Sequence, residues 1–80
     1  MKTIKIKVKA INGNEYTWKF TEYEKDTTDY GNGIYIGVSI NGERSLIDAR
    51  YIVEYNFVNV CETYIKNYYG KNLVSYEVVQ

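Results

Sequence analysis

The chain has 80 residues, 45% of them hydrophobic and 25% charged, and its ten basic and ten acidic side chains cancel to a net charge of zero. These values are typical of a single globular domain spanning residues 1–80 and exclude wholesale disorder. A net charge of zero also argues against polyanion binding through bulk charge, although residues 1–20 carry five lysines and one glutamate.

The first two predicted elements are strands, because residues 2–10 and 14–23 alternate apolar and polar side chains. A three-residue loop, 11–13, would place Val8 opposite Tyr16 and keep the apolar faces of both strands on one side. A two-residue loop would put those faces on opposite sides of the hairpin. We therefore predict the three-residue loop, since burial sets the register of a strand pair.

Residues 24–33 are polar, contain glycine and follow no pattern, so they predict a loop. Residues 34–40 alternate again and predict a third strand, and residues 43–47 predict a short fourth strand after a turn. An alternative begins the following helix at Ser45, with Asp48 completing a capping box. That alternative would remove the fourth strand.

The hydrophobic period then changes to i, i+3, i+4, i+7, which predicts one long helix from Ala49 to Tyr68. Asp48 is the predicted N-cap, and Gly70 stands where a left-handed C-cap is expected. The segment is rich in β-branched and aromatic residues, so packing must hold the helix. Residues 72–79 predict a last strand.

Together these elements predict an α+β fold with the order ββββαβ. A mostly antiparallel sheet of four to five strands, in the order 4-3-2-1-5, would carry the one long helix on one face as a two-layer sandwich. The strand–turn–strand–helix order after residue 33 resembles that of the three-strand-plus-helix DNA-binding domains of some phage integrases. The resemblance extends to no motif, and it assigns no residue a role.

The sequence offers little for catalysis or metal binding. Histidine is absent and there is one cysteine, which removes the commonest general base and any cysteine-rich zinc site. Cys61 lies on the apolar helix stripe, so we expect a buried core thiol rather than a nucleophile. We therefore predict no enzymatic activity, no cofactor and no metal. A lone cysteine also suits a reducing cytoplasm.

Five tyrosines fall in the predicted helix and the residue after it. Helical spacing places Tyr64 and Tyr68 on the apolar stripe and turns the other three outward. Tyrosine is enriched at interface hot spots, so the outward face predicts binding to a protein partner. Local packing, or contact with a second copy of the chain, is the competing interpretation. The predicted contact residues are Tyr51, Tyr55, Val58, Glu62 and Tyr69.

The sheet face away from the helix is the alternative contact surface. Basic side chains interleaved with hydroxyls and aromatic rings could follow a phosphate backbone and stack on bases. The residues predicted to share this face are Lys5, Lys7, Lys9, Lys19, Tyr23 and Tyr35. An ordinary solvated face, whose lysines discourage edge-to-edge pairing, is the competing interpretation.

Asparagine, lysine, isoleucine and tyrosine make up 35 of the 80 residues, which indicates an AT-rich genome such as that of a low-GC bacterium or its phage. The resulting hypothesis is a small, non-enzymatic, cytoplasmic protein of a bacterial or phage-infected cell that acts stoichiometrically on a macromolecular partner. A phage or mobile-element inhibitor of a host defence or regulatory protein, of the anti-CRISPR type, is its concrete form. The alternatives are a nucleic-acid-binding domain and a structural homodimer.

Overall fold

Five strands and one helix form the fold. The computed structural model describes the backbone of residues 2–27, 31–50 and 52–80, and their side chains except at 24–27 and 31–32. The strands are β1 (Lys2–Ala10), β2 (Glu15–Thr27), β3 (Gly31–Ile40), β4 (Glu43–Asp48) and β5 (Leu73–Val79). They form one antiparallel sheet in the order β4-β3-β2-β1-β5. Helix α1 (Phe57–Tyr69) packs on one face and ends in a short 3₁₀ turn. The predicted α+β sandwich is confirmed.

The first hairpin has the predicted register. Val8 lies opposite Tyr16 across a three-residue loop. Gly13 ends that loop with a φ of 85°, and its N–H donates to the Ala10 carbonyl at 3.0 Å. Glycine adopts this left-handed conformation at little cost because it has no Cβ. The apolar residues of β1 and β2 therefore share one face.

The same tripeptide, Ile-Asn-Gly, builds a different turn between β3 and β4. Ile40 still belongs to β3, so Asn41 and Gly42 alone connect the strands, with φ values of 50° and 85°. Two consecutive positive φ values are those of a type I′ hairpin. Ile11, by contrast, lies within its turn and is 70% exposed. The tripeptide is the same in both turns. The loop length is therefore decided by the alternation of apolar and polar residues in the flanking strands.

The short turn brings β4 into the sheet. Ser45 lies opposite Val38 and Ile47 lies opposite Ile36. The fourth strand is therefore confirmed, and the alternative helix start at Ser45 is wrong. Short strands with charged side chains are common at sheet edges.

The loop predicted over residues 24–33 is wrong for most of its length. The β2–β3 ladder continues through Lys25 opposite Gly33 and Thr27 opposite Gly31. Backbone hydrogen bonds can pair two antiparallel strands even where their side chains do not alternate between apolar and polar. A polar, glycine-rich sequence therefore does not prevent β2 and β3 from pairing here. Residues 28–30, at the centre of the predicted loop, lie outside the described residues.

The helix is shorter than predicted, and the prediction that it starts at Ala49 is wrong. Asn56 is extended, and its side chain accepts a hydrogen bond from the Asn59 backbone N–H at 3.0 Å, so it is the N-cap. Asp48 ends β4 instead. Asn56 interrupts the apolar stripe because it caps the helix. The predicted C-cap is confirmed, since Gly70 has a φ of 56° and its N–H donates to a carbonyl of the last turn.

The core lies between α1 and the centre of the sheet. Three helix residues are buried at a spacing of four, and the sheet supplies seven of the ten buried members of the core cluster. A short helix is therefore enough to cover a sheet whose own apolar face forms most of the core. The ten residues are Ile4, Ile6, Val8, Trp18, Phe20, Ile36, Val38, Phe57, Cys61 and Ile65.

The helix start can be tested at its cap. We expect Asn56→Ala to lower the free energy of unfolding by about 1 kcal/mol, because the first turn loses its side-chain acceptor. Asn67→Ala, on the exposed side of α1, is the matched control and should be neutral or slightly stabilising. Urea denaturation followed by circular dichroism measures both. A loss from Asn56→Ala no larger than that from Asn67→Ala would contradict this helix start.

Candidate functional site

The outward aromatic face predicted on the helix does not form. Tyr55 precedes α1 rather than lying on it, and it packs against the core together with Val58 and Tyr69. Glu62 is half-buried. Tyr51, the fifth predicted residue, lies outside the described residues. The role of these residues in binding a protein stays a prediction, but the four that the structure describes are all half-buried and do not form an exposed aromatic surface.

Two of the predicted contact residues are engaged inside the protein. The Tyr55 hydroxyl donates a hydrogen bond to Glu22 of β2, and Glu62 accepts one from the Tyr76 hydroxyl of β5 at 2.8 Å. Burial, and then the hydrogen bond to the Glu22 carboxylate, raises the pKa of Tyr55 above its ordinary value. Both contacts connect the helix layer to the sheet.

The helix places its last two tyrosines opposite to the prediction. Tyr68 was predicted to be buried and is 62% exposed, whereas Tyr69 packs inward and its hydroxyl accepts a hydrogen bond from Trp18 Nε1 at 2.8 Å. The buried row of α1 runs at a spacing of four through Ile65, and Tyr69 continues it. The error follows from setting the helical phase at residue 49. Tyr64 is half-buried against the core, as predicted.

The sheet face opposite α1, the open face, brings together all six residues predicted for it. The four lysines are exposed, Tyr23 is half-buried and Tyr35 is buried. The register places Tyr23 opposite Tyr35 and Lys5 opposite Lys19, and opposite residues point to the same side of a sheet. No helix of the described chain covers this face.

One row of residues across the open face concentrates positive charge. Lys5 lies opposite Lys19, Lys19 opposite Ser39, and Ser39 opposite Arg44. Strands lie about 4.8 Å apart, so this cation row spans about 14 Å from β1 to β4. Val79 of β5 lies opposite Lys5, so the row contains no acidic residue. Two like charges directly opposite each other destabilise a sheet.

The other two lysines of the open face have acidic neighbours. Lys7 lies opposite Glu77 of β5, and Lys9 lies opposite Glu15 of β2. Opposite charges at such positions attract and reduce the local positive potential. The uncompensated positive charge of the open face is therefore centred on the cation row.

A stack of planar groups lies farther along the open face. The Tyr23 and Tyr35 rings are 6.3 Å apart at 23°, and the Arg50 guanidinium lies 5.4 Å from the Tyr35 ring centre. Asp48 accepts from Arg50 Nε at 2.9 Å and from Nη2 at 2.7 Å, and this pairing lowers the pKa of Asp48. A Cβ on Gly33 would lie 2.0 Å from Arg50 Cγ, so glycine at position 33 leaves the space that the Arg50 side chain occupies.

Between the cation row and this stack, Gly37 leaves a hollow of about 330 Å³ in the open face. Its lining includes Lys19, Tyr23, Arg44 and Leu46. Gly37, Arg44 and Leu46 are not among the residues predicted for this surface. The sequence contains a signal for Arg44 and Leu46, because a two-residue Asn-Gly loop fixes which side chains of the next strand point to each face of the sheet.

Cys61 is fully buried, as predicted, and burial raises the pKa of its thiol to about 12. A protonated, buried thiol is a poor nucleophile.

The described residues contain no group of three or more His, Cys, Asp or Glu side chains that could hold a metal ion. None of the helices in that part of the chain is long and apolar enough to cross a membrane.

Comparisons with protein-family models, curated proteins and solved structures find no match to this chain.

The inward position of Tyr69 predicts a stability effect. We expect Tyr69→Phe to lower the free energy of unfolding by about 1–2 kcal/mol, because the Trp18 indole N–H loses its acceptor. Tyr68→Phe, one residue earlier and exposed, should change it by less than about 0.5 kcal/mol. Urea unfolding followed by tryptophan fluorescence measures both variants. A larger loss from Tyr68→Phe would contradict the helical phase.

The raised pKa values of Cys61 and Tyr55 predict sensitivity to alkali. Their ordinary values are 9.0 and 10.0, so the folded state holds these protons where the unfolded state releases them. The stability they contribute is complete below about pH 9 and is lost as the pH rises towards 12. We expect the free energy of unfolding to fall over this window, and to fall less in Tyr55→Phe. A wild-type protein as stable at pH 11 as at pH 7 would contradict this.

Proposed function

We propose that this protein is a non-catalytic, cytoplasmic binding protein that holds single-stranded nucleic acid on the open face of its sheet. The cation row carries the proposal, because it places Lys5, Lys19 and Arg44 in line with no acidic residue between them. A bound phosphate backbone would neutralise the repulsion between Lys5 and Lys19. The pair of Lys5 and Lys19 weakens the sheet of the free protein and would strengthen the complex with a polyanion.

The net charge of zero does not argue against this function, because it averages over both faces. On the helix side, Glu22 and Glu62 accept hydrogen bonds from tyrosine hydroxyls. Four lysines collect on the other side, namely Lys5, Lys7, Lys9 and Lys19. A polyanion that approaches the open face meets a local positive potential, which governs binding more directly than the total charge.

The width of the sheet favours a single strand over a duplex. Five strands at about 4.8 Å spacing place the outer strands about 19 Å apart, and the major groove of B-DNA is about 12 Å wide. The open face therefore does not fit into the groove. An unpaired strand can lie across the sheet, with its phosphates on the cation row and its bases towards Tyr23.

A protein partner is the second candidate, and a groove at one end of the molecule favours it. The groove, about 470 Å³, lies between the two Ile-Asn-Gly turns and the end of α1, where Ile11 and Tyr68 are both exposed. Of the predicted contact residues, Tyr69 lines it. A phage or mobile-element inhibitor of the anti-CRISPR type belongs to this candidate, and its support is the AT-rich composition.

The homodimer predicted from the sequence would form at an exposed edge strand or through the outer face of the helix. Strands β4 and β5 end the sheet, so each has one side that pairs with no other strand of the described chain. Pairing with a second copy would extend the ladder. Light scattering of the purified protein at high concentration distinguishes this state from a monomer.

The central test removes two charges of the cation row. We expect Lys5→Gln/Lys19→Gln to weaken binding of a labelled 20-nucleotide single strand, measured by fluorescence anisotropy at about 50 mM salt. The slope of log K against log salt should fall by about 1.4, since each phosphate contact contributes about 0.7 for single strands. Lys2→Gln/Lys71→Gln is the matched control, because it removes the same charge from outside the open face and should keep the wild-type slope.

Stability separates lost binding from lost folding. The Lys5→Gln/Lys19→Gln variant should unfold at the same or a higher urea concentration than the wild type, because a like-charge pair is removed. Absence of any wild-type complex at about 50 mM salt would exclude the proposal. Equal binding of a polyglutamate peptide of matched charge would assign the open face to acidic proteins instead.

A further inference from the structure

We infer that the hollow at Gly37 is a base-binding pocket, in which one nucleobase of a bound single strand lies over Gly37 with its phosphate on Lys19 and Arg44. This inference rests on the proposed function and adds to it a position where the strand is held by its base as well as by its charge. It follows from four features of the open face.

The first feature is that neither backbone conformation nor space requires glycine at position 37. Gly37 lacks the positive φ of Gly13 and Gly42. A Cβ there would lie 3.6 Å from the Tyr23 ring and 3.9 Å from the Thr21 carbonyl oxygen, which are ordinary contacts. Glycine inside a strand weakens the sheet and often marks a close approach by a ligand. The hollow exists because this side chain is missing.

The second feature is the shape of the hollow. Tyr23 of β2 borders one side, and Leu46 of β4, opposite Gly37 and 50% exposed, borders the other. Strands β2 and β4 lie about 9.6 Å apart, on either side of β3. A flat ring needs about 7–8 Å between the atoms that contact its two faces. The spacing of the two backbones therefore leaves room for a planar group above Gly37, bordered by the edge of the Tyr23 ring and by Leu46.

The third feature is the position of the charges. Lys19 and Arg44 precede Thr21 and Leu46 by two residues along their strands, on the same face, which places them about 7 Å from the centre of the hollow. A nucleotide reaches from its base to its phosphate over a similar distance. Both cations also line the hollow. The hollow therefore combines space for a planar group with positive charge at one end.

The fourth feature is the support behind Tyr23. Its ring stacks on Tyr35, which is 6% exposed and lies beneath the Arg50 guanidinium. Arg50 is in turn held by two hydrogen bonds to Asp48. Tyr23 is thus positioned before any ligand arrives, which reduces the entropy lost on binding. A base over Gly37 would therefore contact the edge of a ring whose position is already fixed.

The test compares two labelled probes of equal length and charge, a 20-nucleotide oligothymidylate and an abasic strand that has the phosphates without the bases. We expect the wild-type protein to bind the oligothymidylate about tenfold more tightly, the effect of stacking one base on an aromatic ring. Gly37→Val should remove this preference and leave binding of the abasic strand unchanged, because valine fills the hollow and spares the cations. Ser75→Val, on the open face opposite Lys9, is the matched control and should keep the preference.

The outcomes separate the two proposals. Equal wild-type affinity for both probes, or a Gly37→Val variant that still prefers oligothymidylate, would overturn the base pocket and leave the proposed function standing. Binding of neither probe would overturn both. If circular dichroism shows that Gly37→Val is unfolded, Tyr23→Leu provides the second variant. It removes the aromatic wall, so it should reduce the preference several-fold, and an unchanged preference would overturn the pocket.

Discussion

The register between β1 and β2 places the apolar side chains from Ile4 to Val8 and from Tyr16 to Phe20 on the side of α1, and every lysine between Lys5 and Lys19 on the opposite face. A slip of one residue would exchange the two sets, burying lysines and exposing Ile6 and Trp18, so burial holds the register strongly. The same constraint forces Lys5 and Lys19 to lie opposite each other. The core and the charged surface are therefore two consequences of one pairing.

The abundance of tyrosine is explained largely by how a small domain joins its two layers. The helix is short and the core is built mainly from the sheet, so contacts at the edges of α1 matter. Hydroxyl groups supply them, through Tyr55 to Glu22 in β2, Tyr76 to Glu62, and Tyr69 to Trp18. A tyrosine ring packs on apolar neighbours while its hydroxyl reaches a polar partner, which suits the boundary of a limited core.

The two faces of the sheet differ in what holds them. The helix-facing side is stabilised by burial, and the open face combines a repulsive cation row, an unfilled position at Gly37 and an ordered stack from Arg50 to Tyr23. Like-charge neighbours and strand-interior glycine both reduce stability in the isolated protein. An anionic ligand with planar groups would compensate both features at once. This coincidence, more than any single residue, supports nucleic-acid binding on this face.

The sequence by itself determined the alternating strands, the three-residue loop, the strand order, the buried Cys61 and the gathering of the lysines with Tyr23 and Tyr35, because period-two patterns and burial parity are local properties of the chain. Only the tertiary structure decided where α1 begins, which way Tyr68 and Tyr69 point, and that Arg44 and Leu46 join Lys19 around Gly37. Apolar residues between Ala49 and Asn56 satisfy a helical pattern whether or not a helix forms. The distinction depends on contacts with β2 and β3, which are distant in sequence and leave no periodic signal.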